Sequence, residues 1–183
     1  MNQGWVMLDK IAVAVVVAGG IAYFAHERLN RDPTVFALSK AQAESLLVTA
    51  RTSLPRRDGD GKIEIWGVDR TDKGVKLNMK YFASAPLLEC GAVVTALAEN
   101  KSRVVPDCGG FALSGSAVST TQIQLRVPMF EEHIQATLAK RPFDRARVDR
   151  AESAIVMRNM GDMRREALQE DADMRNLSAR TSY

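Results

Sequence analysis

An uncharged apolar run near the start of the chain, "IAVAVVVAGGIAYFA" from Ile11 to Ala25, constrains its fold most. It admits three readings: a transmembrane anchor, a cleaved secretion signal, or the polymerising helix of a fibre subunit. The charge-free interval is about fifteen residues, against about twenty for a comfortable span. Counting from Trp5 and letting Lys10 snorkel restores the length, and Trp5 and Tyr23 then fall where amphipathic rings prefer the interfaces. Gly19 and Gly20 would weaken a soluble helix, but in a bilayer small residues permit close helix contacts. A signal peptide would use Lys10 as its n-region and Gly20-Ile21-Ala22 as its cleavage site, yet Asp9 dilutes that positive charge. The expectation is a retained N-terminal transmembrane helix.

Composition narrows the rest. The 183 residues leave room for one modest domain plus accessory helices. Twenty-five basic residues face twenty-two acidic ones, a net charge of +3, and the signs are interspersed, so no nucleic-acid partner is expected. The two cysteines, Cys90 and Cys108, have no C-x-x-C or zinc spacing around them. If the body is exported, one disulfide between them is the natural reading. Lys10 before the apolar run and Arg28 and Arg31 after it leave orientation undecided, so the cysteine pair places the body outside the cytoplasm.

Gly4, Trp5 and Asp9 form a glycine, a large hydrophobe and an acid at the fifth position, followed by the apolar run. This resembles the start of type IV pilins. The resemblance implies cleavage after Gly4, a new N-terminus at Trp5, and pairing of Asp9 with a neighbouring subunit's amino group. A buried charge is costly without an opposite charge, so such a pair helps fix register in a fibre. Lys10 is an added charge at that entrance. The stretch "VKLNMKYFASAPLLECGAVVTALAENKSRVV" is similar to the body of type IVb pilins, where a strand leads through a proline-containing turn into a cysteine-bearing helix.

Three segments are expected: a membrane anchor over 1–32, a small α+β extracytoplasmic domain over 33–128, and a charged helical extension over 129–183. Ser39 and Gln42 form a capping-box signature, and Ala43, Leu46, Leu47 and Ala50 recur at helical spacing, predicting a helix from Lys40 to Leu54. "KIEIWGV" and "GVKLNMKYF" alternate as two strands of an antiparallel hairpin, with Ile63, Ile65, Val75, Leu77, Met79 and Tyr81 inward. Leu87, Cys90, Val94 and Leu97 predict a helix over 84–104. "TTQIQLRVP" predicts a third strand, and "GGFALSGSAV" a short strand or a loop. Phe130, Ile134 and Leu138 predict a helix ending at Pro142. The fold class is therefore α+β: an N-terminal transmembrane helix, a small antiparallel sheet with packed helices, and a charged C-terminal helix.

In the extension, Val156, Met160, Met163, Ala167, Met174 and Leu177 follow a heptad seam interrupted by Glu170. Gly161 weakens its middle by about 1 kcal/mol relative to alanine. This is either a frayed charged tail or a helix that docks on a neighbour through adaptable methionines. No motif for a nucleophile, a metal site or a nucleotide loop is present. His133 beside Glu131 and Glu132 reads as a surface histidine, Asp58 and Asp60 as turn residues, and Trp66 as a packed sheet residue. No enzyme activity, cofactor, metal or small-molecule substrate is expected. The functional expectation is a single-pass structural subunit of a bacterial envelope assembly. It would be pilin-like, in contact with the membrane and with copies of itself through Asp9, Lys10, Gly19, Gly20, Met160, Met163 and Met174. The alternative is an inner-membrane accessory subunit of a secretion, conjugation or other envelope complex, binding partner proteins through its periplasmic domain and C-terminal helix.

Overall fold

The computed structural model describes residues 32–56, 59–109 and 116–181. The chain divides into two compact units, Met1–Val35 and Phe36–Tyr183. Within the first, the described residues form a turn in which Asp32 accepts from the Thr34 amide at 2.9 Å and from its hydroxyl at 2.6 Å.

The element order is β1 (Val35–Phe36), α1 (Lys40–Thr49), β2 (Arg51–Pro55), β3 (Lys62–Thr71), β4 (Gly74–Lys80), β5 (Leu88–Ala98), β6 (Lys101–Asp107), α2 (Ala117–Gln124), α3 (Val127–Leu138) and α4 (Arg145–Thr181). The strands form one curled sheet in the order β1-β6-β5-β4-β3-β2. From β2 to β6, each strand pairs antiparallel with the next.

The capping box forms as expected. The Ser39 hydroxyl accepts from the Gln42 amide at 3.2 Å, and the Gln42 side chain accepts from the Ser39 amide at 3.0 Å. The helix stops at Thr49 rather than running to Leu54, and the chain turns at once into β2. Gly67 on β3 makes that turn possible. A Cβ there would lie 2.1 Å from the Leu47 carbonyl oxygen, so only glycine lets the last turn of α1 rest on the strand.

In the β3–β4 hairpin Ile63, Ile65, Val75, Leu77 and Met79 are all buried as expected, while Asn78, on the face expected outward, is buried as well. The apolar five meet Cys90, Ala92, Val94 and Val104 from β5 and β6, and Ala43 and Leu47 from α1. Met129, Phe130, Ile134 and Leu138 from α3 and Val148 from α4 complete the core. Helix α3 therefore sits in the curl of the sheet, packed on β6 and α1.

Three expectations are corrected. The segment 84–104 is a β-hairpin instead of a helix. Its buried residues Cys90, Ala92 and Val94 recur with period two, and β-branched residues fill Val93, Val94 and Thr95. Leu87 and Leu97, which the helical reading turned inward, are 43% and 44% exposed. The expected strand at "TTQIQLRVP" is the join between α2 and α3. There Ser116 caps α2 by accepting from the Ser119 amide at 3.2 Å, and Pro128 occupies the first turn of α3. Finally, no helix among the described residues is long and apolar enough to cross a membrane. Over the described residues the fold is α+β with a long C-terminal helix and without a transmembrane helix. Among the described helices only α4, at 37 residues, has the length for a span, and its charge excludes it. The segment 1–31, where the span was expected, lies outside the described residues.

Candidate interaction surface

The loop between α3 and α4 is built on one buried carboxylate. Helix α3 ends with Lys140 in the left-handed region at φ 50°, where the Arg141 amide donates to the Ala136 carbonyl at 3.0 Å and the Lys140 amide to that of Thr137 at 3.2 Å. This reversal swings Arg141 back over Glu132, which is only 2% exposed. Arg141 binds it in a fork: Nη1 donates to Oε1, and Nη2 to Oε2 at 2.8 Å. The Asp144 amide donates to Oε1 at 2.8 Å, and Arg147 Nε stands 3.9 Å from Oε2. A buried carboxylate persists only when paired and hydrogen-bonded in this way. The hydrogen bond that Arg141 donates to Glu132 raises the Arg141 pKa above its ordinary value, with burial opposing it.

His133, expected on the surface, is fully buried. Its Nδ1 meets Thr52 Oγ1 on β2 at 2.8 Å, and Nε2 has no partner. Burial lowers its pKa to about 4, so the ring is neutral near pH 7. Tyr81, just past β4, is half-buried. Burial raises its phenol pKa, Glu152 adds to that, and Arg145 and Arg126 pull it down.

Helix α4 is fixed along its first part and exposed beyond. Asn159 Nδ2 donates to Gln124 Oε1 at 2.6 Å, and Glu166 Oε2 accepts from the Ala117 amide at the start of α2 at 2.6 Å. A carboxylate at a helix N-terminus meets unsatisfied amides and the positive end of the dipole. After Glu166 every residue over 167–178 is exposed. Leu168 is 63% and Met174 68% exposed, and the helix runs on to Thr181, about 22 Å at 1.5 Å per residue.

The residues singled out from the sequence fall into three places. Gly4, Trp5, Asp9, Lys10, Gly19 and Gly20 lie outside the described residues. Met160, Met163 and Met174 share α4, with Met160 and Met174 exposed and Met163 half-buried. Cys90 and Cys108 form a disulfide that ties β5 to the chain just after β6. Among the described residues no group of three or more His, Cys, Asp and Glu is arranged to hold a metal ion. The Glu132–Arg141–Arg147 cluster and the buried His133 were not foreseen. The available signal was the breadth of the apolar face around them, since Met129, Phe130, Ile134, Ala136 and Leu138 cover most of the circumference of α3.

Comparison with family models, with curated proteins and with solved structures finds no match for this chain.

Proposed function

We propose that the protein is a non-enzymatic structural component of a bacterial envelope assembly, with its body outside the cytoplasm, binding partner proteins through α4. The carrying observation is the run over 167–178, exposed throughout while Leu168 and Met174 present large apolar side chains to solvent. Isolated helices of this length are marginal in water, so a helix continued past its last contact with the body gains most from a partner. The disulfide supports the compartment, because such bonds persist in oxidising surroundings. This reading follows the accessory-subunit alternative rather than the fibre subunit.

Photo-crosslinking side chains at Leu168 and Met174, with exposed Glu64 on β3 as control, test it in the cells that make the protein. Discrete adducts from the α4 positions alone are expected. Their absence, or equal labelling from Glu64, would overturn the reading. Mass spectrometry of the purified chain showing a cut after Gly4 would return the fibre-subunit reading instead.

A further inference from the structure

We infer that the outer part of α4 seats a basic amphipathic helix of another protein, not a second copy of this chain. The inference rests on the docking reading above and adds the chemistry of the partner.

From Glu166 to Met174 the sequence "EALQEDADM" carries four carboxylates and no lysine or arginine. Asp171 is engaged by Arg175 Nη2 at 2.6 Å, and Glu166 by the Ala117 amide. Glu170 and Asp173 have no paired cation among the described residues. Glu170 interrupts the apolar seam between Ala167 and Met174, and Asp173 lies beside it; all four are exposed.

A second copy fits this surface badly. In a parallel in-register pair, Glu170 would face its own counterpart within the seam, and Glu166 would flank Asp171 of the copy. In an antiparallel pair with Ala167 opposite Glu170, Glu166 would stand against Asp173; Asp171 would meet Arg164, but the Glu170 carboxylate would still be buried in the seam without a cation. Either way like charges are juxtaposed where water is excluded, which disfavours the pairing. The same carboxylates repel nucleic acid and anionic lipid. A helix with lysine or arginine beside its apolar stripe answers each feature. Its cations meet Glu170 and Asp173, its aliphatic stems lie along the seam, and the flexible thioether of Met174 adapts to its side chains.

The test uses the full chain and two three-heptad peptides with leucine at a and d, one carrying lysine and the other glutamate at e and g. Fluorescence anisotropy at low salt is expected to show the lysine peptide binding at least about 10-fold more tightly. The double variant E170K/D173K, both positions being exposed, should keep the helical circular dichroism and reverse the preference. Equal affinities, no binding of the lysine peptide, an unreversed preference, or a dimer of the chain that M174S dissolves would each overturn the inference. If crosslinks from Leu168 and Met174 capture another protein while the peptide test fails, the docking reading stands and the basic partner falls.

Discussion

The Nδ1 atom of His133, at the centre of α3, lies 2.8 Å from the Thr52 hydroxyl on β2. The contact joins the central helix to the edge of the sheet and encloses the imidazole. Because Nε2 has no partner, protonation would leave a buried charge without compensation.

Folding stability should therefore fall in mild acid. The folded pKa is about 4 and the ordinary value 6.5, so the unfolded chain takes up the proton first. The contribution of neutral His133 is complete above about pH 6.5 and is lost as pH falls towards 4, by about 3 kcal/mol. Urea unfolding across that window, compared with His133→Leu, isolates it. The variant should lose less stability than the parent between pH 7 and 4, and parallel curves would count against the assignment.

Removing Arg141 should be among the costliest changes outside the apolar core. Arg141→Ala leaves the buried Glu132 carboxylate with only the Asp144 amide and, at 3.9 Å, Arg147, and should destabilise by about 3 kcal/mol. Arg141→Lys keeps the charge but loses the fork and should recover less than half of that. Denaturant midpoints at pH 7 check both.

Gly67→Ala should destabilise by about 2 kcal/mol or more, because the new methyl meets the carbonyl oxygens of Leu47 and Val48 at 2.1 and 2.6 Å, and backbone cannot step aside as a side chain can. Gly161→Ala, with nothing near the added atom, should instead stabilise by about 0.5–1 kcal/mol. The pair distinguishes a close-packing glycine from a merely flexible one by thermal or denaturant unfolding.

Thiol labelling of the unreduced, denatured chain should modify neither cysteine, and labelling after reduction both. Reduction should cost about 3 kcal/mol in the chain-entropy model, read as a shift of the denaturant midpoint.

Local signals were legible wherever they were unambiguous. Ser39 and Gln42 announced α1, and Ile63, Ile65, Val75, Leu77 and Met79 announced the first hairpin. Phe130, Ile134 and Leu138 announced α3. The second hairpin was misread because Cys90 and Val94 satisfy both the helical and the two-residue period. Only the β-branched residues between them favoured the strand. Around "TTQIQLRVP" the alternation of Ile123, Leu125 and Val127 spans the end of one helix and the start of the next. His133 was misplaced for another reason. Its neighbour Glu132 faces Arg141 while the imidazole faces Thr52, and that divergence follows from how α3 is enclosed, which no local pattern encodes. The seam of α4 was visible as a heptad, but its division at Glu166 depends on a contact with Ala117 distant in sequence.

That division has a mechanical consequence. Gly161, the residue most able to bend α4, lies between the two tethers to α2, Asn159–Gln124 before it and Glu166–Ala117 after it. Its flexibility is splinted from both sides, so α4 is held to the body as far as Glu166. A sideways load on the outer segment is received by the Glu166 carboxylate and the opening turn of α2 before it reaches the sheet. Helix α4 is thus a cantilever on a stiff root rather than a hinged arm.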